Sequence, residues 1–124
     1  MTVHDPETLI RHITQQIALL NEHLITARPQ QAARILGRVL DIEEGILGGL
    51  TALMATGSRF AQDRAIAGDL PPEVCLALGR AANELHDIGL DLDEHAEDLH
   101  RFSQAPAVAT VPPVASALVA RRHR

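Results

Sequence analysis

Apolar residues recur at alternating steps of three and four along three stretches of the chain, the spacing of helices with one buried stripe. In the first stretch the stripe is Ile10, Ile13, Ile17, Leu20, Leu24 and Ala27. Asp5 is placed to cap this helix, Pro6 suits its first position, and Glu7 complements the positive end of the dipole. Pro29 closes it, because a proline pushes the residue before it out of helical geometry. The spacing predicts a helix over 6–27.

The second stretch carries Ala32, Ile35, Val39, Ile42, Ile46, Gly49, Leu53, Thr56 and Phe60 on one line. A second line, Leu36, Leu40, Leu47, Leu50 and Met54, widens the apolar face. A helix over 30–67 is predicted, central in the fold, stopped by Gly68-Asp69 and the Pro71-Pro72 pair. The third stretch repeats the pattern through Leu78, Ala81, Leu85, Ile88, Leu92, His95, Leu99 and Phe102, predicting a helix over 71–102. Only His95 interrupts its apolar seam, and the expectation is a seam histidine hydrogen-bonded to Glu44 or a water.

After Ser103 the periodicity stops. Pro106, Pro112 and Pro113 prevent an apolar helical face, so 104–124 reads as a disordered Ala/Val/Pro tail with the basic end Arg121-Arg122-His123-Arg124. The expected fold is all-α: a three-helix antiparallel bundle over 1–103, with the second and third helices forming a long hairpin.

The rods are unequal. The first is roughly 33 Å long and the other two about 45–55 Å at the helical rise per residue. The hairpin tip, around residues 57–78, then stands clear of the first helix while still carrying Phe60, Ile66, Leu70, Val74 and Leu78. An exposed apolar tip points to a covering partner, either another protein or a second copy. Glycines fit the same idea: Gly45 and Gly49 lie with Ala52 and Thr56 along a small-residue edge that could admit another helix. The alternative is a kink or break at Gly48-Gly49 or Gly57.

Composition narrows the function. The 124 residues are 46% hydrophobic but only 2% aromatic, with no Trp and no Tyr. There is no Lys, which excludes Schiff-base catalysis and a P-loop. A net charge of −5 with two aromatic rings disfavours nucleic-acid binding. Cys75 stands alone, so neither an intrachain disulfide nor a cysteine zinc framework can form. No basic-then-apolar leader and no bilayer-length apolar run is visible, so the expected location is the cytoplasm, without membrane association. No nucleophile elbow or phosphate cradle is present, and the expectation is a non-catalytic protein with no cofactor and no small-molecule substrate. In size and acidity the chain resembles small helical hairpins of the WXG secretion type, but it has none of their aromatic residues and the resemblance implies nothing further.

Charge is concentrated in the third helix, where residues 71–102 carry two Arg against eight Asp or Glu. Glu84, Asp87, Asp91, Glu94 and Asp98 share one acidic face there, most simply a solvated one. With turns near residues 28 and 69, His95 is level with Glu44, and Glu44 with Ile13 beside His12. His12, Glu44, Asp91 and His95 are therefore the candidate ligands of an alternative, metal-binding reading. The leading expectation is a small helical interaction or adaptor protein that works by helix–helix association as a coiled-coil-like homodimer, its acidic face steering partner choice.

Overall fold

A computed structural model describes residues 5–106, and these are all-α, with five helices in order: α1 Pro6–Thr26, α2 Pro29–Val39, α3 Ile46–Ala67, α4 Pro72–Asp93 and α5 Ala96–Gln104. The start of α1 follows from its first residues. Asp5 accepts from the Thr8 backbone N–H at 3.1 Å and from the Thr8 hydroxyl at 2.7 Å, and Pro6 opens the first turn. Together these satisfy a donor that a bare helix end leaves open.

The long second rod expected over 30–67 is two helices, not one. The chain leaves α2 at Leu40 and enters α3 from Gly45. Asp41 makes the turn between them, its carboxylate accepting from the Glu43 backbone N–H at 3.0 Å. Gly45 and Gly48 are what let the turn close. A Cβ on Gly45 would lie 2.7 Å from the Asp41 carbonyl oxygen, and one on Gly48 would overlap the Ile42 carbonyl. The third rod, expected over 71–102, is also two helices, parting at Glu94 and His95. The two breaks face each other: Gly37, Leu40 and Asp41 border one small hollow with Leu92, Asp93 and Ala96. The hairpin therefore bends as a unit, with α5 following α2 and α4 following α3.

The break also resets the helical phase. On α3 the first expected line is turned out, with Ile46, Gly49, Leu53, Thr56 and Phe60 all exposed, and of the second line Leu50 is exposed while Leu47 and Met54 are half-buried. Leu47, Thr51, Met54, Ser58 and Ala61 face α4 instead. The α3–α4 contact is built on small residues. Ala61 is only 1% exposed, the Ser58 hydroxyl donates to the Cys75 carbonyl at 3.1 Å, and a Cβ on Gly79 would stand 3.3 Å from Ser58 Oγ. The hairpin turn lies where the sequence places it. Gly68 takes the left-handed conformation, φ 89°, and its N–H closes α3 on the Ala65 carbonyl. Arg64 and Asp69 brace this end with a 2.8 Å ion pair.

The first helix is not the third member of a bundle. Ala27 and Arg28 are both extended ahead of Pro29 and direct α1 away from the hairpin. It meets α2 sparsely and has no buried residue, and only Leu20, Leu24 and Ala27 of its stripe are half-buried. Among the described residues no large side chain is fully buried, and the buried set is Ala33, Ala61, Gly89 and Ser103. Among the described residues the last helix ends at Gln104, and residues 107–124, most of the expected tail, lie outside the described residues.

Candidate functional site

The residues expected at the hairpin tip divide into two groups. Leu70 and Leu78 are half-buried in the hairpin, whereas Phe60 is 59% and Ile66 80% exposed, with Val74 open beside them. Phe60 and Ile66 lie on the outer side of α3, away from Ala61, so the tip presents separate apolar points rather than one patch.

The small-residue edge on α3 does not admit a helix. Gly49 is exposed with nothing within 4 Å of a built Cβ, and Gly45 lies in the α2–α3 turn against its own backbone. Close helix approach occurs on the opposite side of α3, at Gly57 and Ser58, and on α4 at Gly79 and Gly89. Gly89 lies off the expected seam, which takes Ile88, but stands four residues after Leu85 and three before Leu92, and a glycine at that spacing is a usable signal of close packing.

The metal layer does not assemble. Among the described residues no group of three or more His, Cys, Asp or Glu could hold an ion. His12 faces an open trough beside α1, Glu44 is in the α2–α3 turn, and Asp91 is exposed on α4. His95 is not in a seam. It is the second residue of the α4–α5 break, at the N-cap of α5, exposed, and 3.9 Å from Asp98. The break removes the continuous seam that the layer required. The acidic residues are likewise spread over two helices: Glu84, Asp87 and Asp91 on α4, Glu94 at its end, and Asp98 on α5, where it pairs with Arg101. All five are exposed. No helix of the described residues is long and apolar enough to cross a membrane.

One feature of the described residues lies outside these expectations: an open apolar trough between α1 and the start of α3. Two adjoining hollows, of about 450 and about 410 Å³, share Leu20 and Ile46. The first is walled by Leu9, Ile13 and Ile17 of α1, and the second by Ile35 and Val39 of α2. The trough continues into an exposed row on α3, Ile46, Leu50 and Leu53, which the helical repeat sets on one face. On α1, Leu9, Ile10, Ile13, Ile17, Leu19 and Ile25 are all exposed. At the far end of α1 the Thr8 hydroxyl and backbone N–H hold the Asp5 carboxyl below its ordinary value.

No family model matches the chain, and no curated protein or solved structure matches it either.

Proposed function

We propose that this chain is a small non-catalytic interaction protein that works by helix–helix association, and that its first partner is a second copy of itself. The observation that carries the reading is α1, a 21-residue amphipathic helix whose apolar stripe has no covering neighbour along most of its length. Each half-exposed Leu or Ile on that stripe has about 1 kcal/mol still to gain from burial. Among the described residues no large side chain is fully buried, and such a chain gains stability by sharing a core with another chain.

The expected tip surface is secondary in this reading, because Leu70 and Leu78 are already half-buried in the hairpin. The acidic face of α4 and α5 sets which surfaces are repelled rather than which are bound. A cytoplasmic setting fits a chain whose lone Cys75 is a free thiol.

Light scattering tests the reading. The expected mass is about twice the 13.4 kDa of one chain. A single-copy mass at high protein concentration overturns it.

A further inference from the structure

We propose that the trough beside α1 is the seat of α1 from a second copy, the two α1 helices pairing antiparallel over the exposed rows of both α3 helices. This rests on the self-association reading and specifies its geometry.

The stripe is complementary to itself. Ile10, Ile13, Ile17 and Leu20 alternate by three and four, and antiparallel pairing sets each residue that begins a three-step against one that ends it. Ile13 then lies level with Ile17 of the second copy, and Ile10 with Leu20 of the second copy. A two-fold axis passes between Ile13 and Ile17, the symmetry that an isologous dimer needs. The pairing centres on the middle of α1, where the stripe is open, Ile10 being 63%, Ile13 50% and Ile17 47% exposed, while Leu24 beyond it is half-buried at the α2 end.

Charge permits this pairing and opposes the obvious alternative. The positions flanking the stripe are Thr14 and Asn21 on one side and Gln16 and His23 on the other, so two copies meet without opposed like charges. The acidic face of α4, with Glu84, Asp87 and Asp91, would repel its own image.

Area selects the trough rather than a bare helix pair. A stable interface covers about 800 Å² on each partner, more than four half-exposed side chains supply. Seated in the trough, the second α1 also covers Ile46, Leu50 and Leu53. Gln16 and Ile46 line the same hollow, so the Gln16 side of α1 faces α3. Antiparallel pairing puts the Gln16 sides of both helices on one side of the pair, and both α3 rows then lie beneath it.

The test uses the full chain with Cys75→Ser as background. Gln16→Cys, treated with a short bismaleimide, is expected to link two copies efficiently, because the two residues flank the axis. His23→Cys is expected not to link, since antiparallel pairing holds the two copies of that residue about 24 Å apart along the helix. Ile13→Asp and Leu53→Asp should each weaken the dimer at least 100-fold with helix content unchanged, both side chains being exposed in the single chain. Equal linking at 16 and 23, no linking at 16 in a protein of two-copy mass, or a full-strength Ile13→Asp dimer overturns this pairing and leaves self-association standing. A single-copy mass for the unsubstituted chain overturns both.

Discussion

Gly89 of α4 lies directly under Ile42 of the α2–α3 turn: a methyl group in its place would stand 2.9 Å from Ile42 Cγ2 and 3.7 Å from Leu47 Cδ2. The turn that breaks the second rod is thus seated on the helix opposite. Gly89 is buried although its neighbours Ile88 and Leu90 are exposed. The bend of the hairpin depends on this one missing side chain.

Gly89→Ala should therefore destabilise the chain by about 1–3 kcal/mol, the usual cost of overpacking, despite alanine's better helix propensity. Gly49→Ala is the contrasting change. Nothing approaches a Cβ there, and the substitution should stabilise α3 by about 0.5–1 kcal/mol. Urea midpoints measured on the pair decide the point, and a Gly89→Ala midpoint equal to or above the parent would show that Ile42 yields freely.

Phase along α3 is tested at adjacent positions. Ala61 is enclosed and Phe60 is open, the reverse of what a continuous second rod predicts. Ala61→Leu should cost about 1–3 kcal/mol. Phe60→Ala should cost well below the roughly 3–5 kcal/mol of a core phenylalanine. Thermal melts that rank the two variants the other way would return Phe60 to the interior.

Closure of the hairpin depends on Gly68. With φ at 89°, any L side chain there is strained, and Gly68→Ala should lower stability by about 1–2 kcal/mol. The loss should come without any gain in helix content, which far-ultraviolet circular dichroism reads directly.

Acid should loosen the start of α1. The Thr8 contacts hold the Asp5 carboxyl below its ordinary value in the folded chain. A depressed carboxyl stabilises the folded form fully above its unfolded value, and that contribution is lost as pH falls through the folded one. Circular dichroism of the parent should exceed that of Asp5→Ala above about pH 4, and the difference should shrink toward about pH 2. A difference that stays constant across this range would mean that charge plays no part in the cap.

Helix existence and helix ends were written locally. Asp5-Pro6, Pro29, Gly68 and Pro72 act through their own backbone preferences, and each lies at the boundary the chain adopts. The acidic character of α4 and α5 was equally plain, because exposure of charge needs no partner. The break at 41–45 was hinted at by its glycines, but the pattern alone placed any break at Gly48-Gly49 or Gly57. What decided it was contact between distant residues, Ile42 on Gly89 and the two breaks against each other. The proposed metal layer failed for the same reason, since it assumed that Glu44 and His95 sat in unbroken helices.

Spacing by threes and fours states that a helix has an apolar face; it does not state what lies against that face. The sequence alone determined the outer limits of the helical segments, through capping, proline geometry and a left-handed glycine, but not the breaks at 40–45 and 94–95 within them. Tertiary structure decided which faces turn inward, because a short turn between α2 and α3 rotates everything after it, and because two extended residues at Ala27 and Arg28 carry the Ile13 stripe away from its own hairpin.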